Sequence, residues 1–156
     1  SDNRLPNYQS PQKSQRRIFM DPVLQSFITG FPVLLLHFSV TLVMLASGVT
    51  LYQLITPYHE LDLIRSGNTA AAVSLSGAIL GLALPLAFCM AGSVSVWDIM
   101  WWGCLSLIIQ LLAYRIGGAL LKGLPSRIEA GEMGAAALVA AIKLAVAMIN
   151  SAAIAG

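Results

Sequence analysis

From Val23 to Ile55 the chain carries no formal charge. A helix rises 1.5 Å per residue, so about 20 apolar residues cross a hydrocarbon core about 30 Å thick. This run is longer than one perpendicular crossing and must tilt, kink or begin as an interfacial segment near Phe31 and Pro32. Three further apolar runs come after it, over about 69–91, 97–121 and 134–155. Inside lipid every backbone N–H and C=O needs an internal partner, and runs of this length meet that demand as helices. Pro85 marks an expected kink in the second run. Hydrophobic residues make up 57% of the chain and charged residues only 10%, where a soluble domain carries about 25% charged residues. The expected fold class is therefore all-α: an integral membrane four-helix protein, with residues 21–156 as the multi-pass transmembrane domain.

Residues 1–20 read differently. They are polar, with Pro6, Pro11 and several Asn, Gln and Ser, and they predict a disordered N-terminal tail. Arg4, Lys13, Arg16 and Arg17 crowd into it, out of nine Lys and Arg in the whole chain. Lys13, Arg16 and Arg17 abut the first span and are the expected membrane-surface basic cluster, either touching anionic headgroups or serving as a topology signal. The loops at 56–68 and 122–133 are expected on the opposite side, where Arg65, Lys122 and Arg127 nearly balance the tail, so the positive-inside rule leaves the orientation open. The first apolar run is too long for the core of a secretory signal peptide, and none is expected.

The span boundaries carry local signals. Ser95-Val96-Trp97-Asp98 fits a capping box, in which the Ser oxygen and the acid each satisfy free amides at a helix start. Trp97, Trp101 and Trp102 beside it form an expected interfacial aromatic belt. Asn68 and Thr69 read as the N-cap of the second span. Gly77-x-x-x-Gly81, with Ala70 and Ser74, places small residues on one helix face, the pattern that lets backbones approach in lipid. Cys89 and Cys104 show no metal-type spacing and read as small packing residues inside spans.

Two segments read alike sixty-four residues apart: Ile64-Arg65-Ser66-Gly67-Asn68-Thr69-Ala70-Ala71-Ala72 and Ile128-Glu129-Ala130-Gly131-Glu132-Met133-Gly134-Ala135-Ala136. Each is a polar loop feeding an Ala-rich helix after a long apolar one. The expected architecture is two parallel-repeat transmembrane hairpins related by a pseudo-two-fold along the membrane normal, with sequential spans packed as hairpins. The segment from Gly67, Asn68 and Thr69 through Ser76-Gly77-Ala78-Ile79-Leu80-Gly81 to Pro85 resembles the YjfL-type bacterial inner-membrane family. So do Asp98, Trp102-Gly103, Ile109-Gln110-Leu111-Leu112 and Ile149-Asn150. The resemblance covers roughly 23–155. It implies a four-helix inner-membrane protein of two related halves and, through the phage-shock-type stress proteins such genes accompany, a link to envelope maintenance. Glu132-Met133 departs from the Asn-Thr that the family pattern repeats, and the family pattern asks for no base at Lys143.

Lys143 is the chemical anomaly. It sits inside an otherwise apolar span, where an ammonium costs about 3 kcal/mol on insertion scales. At 1.5 Å per residue from the loop side, Lys143 and Gln110 lie at similar depth, roughly 13 Å, and Asn150 and His37 form a deeper pair. Two polar layers are expected, Lys143 with Gln110 and Asn150 with His37. No Asp or Glu falls inside a span, so Lys143 lacks a carboxylate partner in the chain and must snorkel, lose its charge or meet an acid on another subunit. Glu60, Asp62, Glu129 and Glu132 read as solvated loop residues.

No nucleophile–base set, phosphate loop, metal cluster or nucleic-acid footprint stands out, so no enzymatic activity, cofactor, metal or nucleic-acid partner is expected. The favoured expectation is a membrane scaffold or accessory subunit that contacts the bilayer and another membrane subunit or itself. The alternative is a channel or transporter subunit with Lys143 and its polar neighbours on an ion or proton path. The direction in which Lys143 points separates the two.

Overall fold

A computed structural model describes the backbone of residues 11–156 and the side chains of 22–156 apart from Leu120. The described chain is all-helical: α1 (Pro11–Ile55), α2 (Glu60–Arg65), α3 (Thr69–Gly92), α4 (Val96–Leu120), α5 (Leu124–Glu129) and α6 (Met133–Ala155). Among the described residues, four helical stretches are long and apolar enough to cross a membrane: Pro22–Ile55, Thr69–Gly92, Val96–Ala119 and Met133–Ala155. Their ends fall within two residues of the limits expected from sequence.

The described residues up to 36, and residues 37–156, form two compact units. In the first, the described chain is already helical at Pro11, inside the segment expected to be a disordered tail. The Gln, Lys and Arg at 12–17 are good helix formers. Residues 1–10 of that expected tail, and the side chains of Lys13, Arg16 and Arg17, lie outside the described residues. The helix continues through Pro22 and Pro32, and Phe27 and Phe31 stack at 5.4 Å. The boundary between the units comes one turn after Pro32, which removes a helix hydrogen bond.

In the second unit the main interface is α3 against α6, with α4 packed on both. The sequential spans α3 and α4 pack together as expected of a hairpin, but less extensively than α3 and α6. The reason is steric. A Cβ added at Gly77 would meet the Cβ and Cα of Ala140, and one at Gly81 would overlap the Tyr114 hydroxyl and approach the Lys143 carbonyl. Backbones come closest where those side chains are missing. Gly77 opposes Ala140 and Gly81 opposes Lys143, so α3 and α6 run parallel. Ala70 and Ser74 share the buried face of α3 with these glycines. Pro85 is buried within α3, and the helix runs on to Gly92.

The two loops are built alike. Helices α2 and α5 have six residues each. Ser66 N–H bonds the Asp62 carbonyl, Gly67 that of Ile64 and Asn68 that of Leu63. Ala130, Gly131 and Glu132 make the matching bonds to Ser126, Ile128 and Arg127. Gly67 and Gly131 both adopt left-handed backbone, at φ 92° and 81°, which only glycine enters without strain. The loops differ at the residue after this glycine. Asn68 caps α3 by accepting from Ala71 N–H at 3.0 Å, and its amide donates to the carbonyls of Ile128 at 2.9 Å and Glu129 at 3.1 Å. Glu132 makes no side-chain cap. One asparagine thus holds the two loops, and the starts of α3 and α6, at the same end. Thr69 is the first residue of α3.

At the start of α4, Ser95 and Asp98 form the complete capping box, and Trp97, Trp101 and Trp102 are exposed. Cys89 is buried, but Cys104 is exposed; it faces outward from α4 rather than packing inside.

Candidate functional site

Helix α6 has one enclosed stripe: Ala136, Val139, Lys143, Ala147 and Asn150 recur at helical spacing and are all buried. Lys143 is therefore on the inner face by register, and only 6% of it is exposed. Its Nζ donates to the Tyr52 hydroxyl at 2.6 Å, the Ser74 carbonyl at 3.0 Å and the Ser74 Oγ at 3.0 Å. Those three bonds use the three hydrogens of an ammonium. The Tyr52 and Tyr114 ring centroids lie 4.6 and 5.7 Å from Nζ, within cation–π reach. The head group is satisfied inside the bundle, at Ser74, two turns nearer the loop end than Gly81, which opposes the Lys143 backbone.

The acid is supplied by Glu60, which overturns its reading as a solvated loop residue. Glu60 opens α2, yet only 2% of it is exposed. Its Oε1 accepts from the Tyr52 hydroxyl at 2.9 Å and from Ser74 Oγ at 2.9 Å. Each of these hydroxyls accepts from Lys143 and donates to Glu60. Tyr58 Oη lies 3.4 Å from the same Ser74 oxygen. The other carboxylate oxygen, Oε2, is buried with no hydrogen-bond partner among the described residues. The charge content of the spans does not reveal this pair, because α2 folds its first residue inward beneath the start of α3. The available signal was a polar cluster, Tyr52, Tyr58 and Glu60, at the end of an apolar run.

Gln110 does meet Lys143, but at the backbone: Gln110 Nε2 donates to the Lys143 carbonyl at 3.1 Å and to the Tyr114 hydroxyl at 2.8 Å. Asn150 Nδ2 donates to Ser106 Oγ at 3.0 Å and the Ser106 carbonyl at 3.3 Å, and reaches Gln110 Oε1 at 3.5 Å. The expected Asn150–His37 layer does not form. His37 is only half-buried, and Ser106, one turn from Gln110 on α4, is the nearer partner. The polar groups line up instead as one ladder through the helical core: Glu60, Tyr52 with Ser74, Lys143, Gln110, Asn150 and Ser106.

A partly open cavity of about 360 Å³ adjoins the ladder. Tyr52, Tyr114 and Lys143 contribute to its wall, as do Ala113, Gly117, Val139 and Ile142, with Arg115 also on its lining. Nearer the loop surface, burial pushes the Tyr58 phenol up to about 12. Glu132 is held below the usual carboxylate range by hydrogen bonds from Arg127, whose own value is raised by that pairing. Both are well exposed, so the pair adds little stability. Among the described residues no three His, Cys, Asp or Glu side chains converge as a metal site.

The protein-family description that matches is Domain of Unknown Function (DUF350), over residues 26–154. The chain is 37% identical over 78 residues to the UPF0719 inner membrane protein YjfL of Escherichia coli strain K12, covering 50% of this chain and 59% of that one. It is 29% identical over 80 residues to the UPF0719 transmembrane protein YshE of Bacillus subtilis strain 168, covering 51% and 60%. These alignments span about three fifths of each relative. No solved structure matches.

Proposed function

From the premise that this chain belongs to the DUF350 family, we propose that it is a non-enzymatic, cofactor-free subunit of the bacterial inner membrane that carries protons through a buried relay centred on Lys143. The observation that carries this reading is the double bridge between Lys143 and Glu60. In each branch the ammonium donates to a hydroxyl that itself donates to the carboxylate. A proton passed from Nζ to the hydroxyl oxygen, with the hydroxyl's own proton moving to Oε1, leaves amine, unchanged hydroxyl and carboxylic acid. Charge crosses from one residue to the other with no heavy atom moving far. Gln110, Asn150 and Ser106 extend the polar ladder toward the opposite face. The matched loops and the parallel α3–α6 pair support the further proposal that the two halves are a duplicated hairpin, a plan used by transporters.

Proteoliposomes loaded with a pH-sensitive dye test this. The reading expects proton flux above that of empty vesicles, lost in Lys143→Met and in Glu60→Gln. Flux no greater than that of empty vesicles, or flux untouched by both substitutions, would refute it.

A second reading keeps the chain as an accessory subunit or scaffold in envelope maintenance. What favours it is α1, where Phe38, Leu42, Val43 and Leu54 are all more than half exposed, apolar surface suited to a helix of another membrane subunit or a second copy. Crosslinking in native membranes from residues on this face would recover a specific neighbour on this reading, and none otherwise.

A further inference from the structure

We propose that the cavity beside Lys143 binds an anionic phospholipid, with its phosphate on Arg115 and an acyl chain running inward along α4 and α6; such binding does not require proton transfer, although Tyr52 and Lys143 border both. The volume, about 360 Å³, lies in the range of small-molecule sites, which are mostly apolar with a few placed polar groups. Ala113, Gly117, Val139, Ile142 and Val146 give it an apolar wall. Ile142 is exposed on the outside of α6 and Val146 is half-buried, so the opening reaches membrane-facing surface.

The lining carries Arg115 and Lys143 and no acid. The Lys143 donors are already used. Those of Arg115 are not. Arg115 is exposed one turn inside the loop end of the Val96–Ala119 span, a depth from which an arginine head reaches the headgroup level. Among the described residues it makes one hydrogen bond, from Nη1 to the Ile55 carbonyl at 3.1 Å. A guanidinium has five N–H groups in a planar fork that matches a phosphate in bidentate fashion. Basic pockets between membrane helices near the interface recognise anionic headgroups in this way. Gly117 and Gly118 border the slot, and a Cβ at either would meet nothing within 4 Å.

The test is native mass spectrometry of the full chain in mild detergent, titrated with phosphatidylglycerol or with phosphatidylcholine of the same acyl chains. Wild type is expected to hold phosphatidylglycerol about tenfold more tightly, the scale of one hydrogen bond to a charged group. Arg115→Gln is expected to erase the preference and Arg115→Lys to retain part of it. Gly117→Leu, which puts a side chain into open space, is expected to reduce binding of both lipids, and Gly118→Leu repeats the test should the first variant fail to fold. Equal retention of the two lipids by wild type, a preference surviving in Arg115→Gln, or unchanged binding in the leucine variants would each overturn the proposal.

Discussion

Lys143 and Glu60 share the same two hydroxyls, those of Tyr52 and Ser74, and each hydroxyl accepts from the lysine and donates to the glutamate. The charges are coupled through oxygen atoms rather than by an ion pair. The arrangement lets helix α6 carry a cation through the bilayer core without a carboxylate in any span, because a loop helix turns its first residue inward to supply one. It also links four segments, α1, α2, α3 and α6, at one point.

That linkage has a measurable energetic signature. Lys143→Met leaves Glu60 buried with no cation, and Glu60→Gln leaves the ammonium without its counter-charge. Removing one partner of a buried pair costs about 3 kcal/mol. Each single variant is expected to lower unfolding stability in detergent by about that amount. The double variant should cost less than the sum, with a coupling of roughly 1–3 kcal/mol. Additive losses in the double-mutant cycle would show that the two charges act separately.

The glycine face of α3 gives a steric prediction. Gly77→Ala forces a Cβ onto the Cα of Ala140, 2.7 Å from its ideal position, and overpacking of this kind costs about 1–3 kcal/mol. Gly81→Ala is expected to be at least as damaging, since it also displaces the Tyr114 hydroxyl from Gln110. Gly92→Ala, where a Cβ meets nothing within 4 Å, is the control and should melt like wild type. Thermal unfolding in detergent ranks the three, and a Gly77 variant as stable as the Gly92 variant would contradict the parallel α3–α6 contact.

The four spans were legible because apolar runs of membrane length leave little choice, and their ends were marked by Asn68, Ser95 and Asp98. Lys143 was legible as an anomaly, but its partners were not. Glu60 looks solvated in sequence because its neighbours His59 and Asp62 are polar, and only the inward turn of α2 reverses that. Ser74 looked like a small packing residue, yet its hydroxyl and carbonyl hold the ammonium. Depth counting placed Gln110 beside Lys143 correctly in height, but height does not say which way a side chain faces. The same limit explains the missed pairing of Asn150 with Ser106 in place of His37.

Asn68 separates capping from loop linkage. Asn68→Asp keeps the oxygen that accepts from Ala71 N–H but removes the donors to Ile128 and Glu129. Asn68→Ala removes both, and loss of a cap alone costs about 1 kcal/mol. Hydrogen exchange by mass spectrometry is expected to show faster exchange over residues 128–134 in both variants, and at the first turn of α3 only in Asn68→Ala. Protection at 128–134 unchanged in Asn68→Asp would mean that the loops are held together by something else.

Tyr58 supplies the pH dependence. Burial raises its phenol to about 12 from an ordinary 10.0. Between those values the unfolded chain has released this proton while the folded chain keeps it. The stabilisation is therefore complete below pH 10, and it is lost as pH rises through about 12. Tyr58→Phe has no proton to lose. The variant is expected to be slightly less stable than wild type at pH 8, where the Tyr58 contact with Ser74 is missing, and to close or reverse that gap as pH climbs from 10 to 12. Melting temperatures of the two proteins across that window decide the matter, and a constant gap would remove Tyr58 from the alkaline transition.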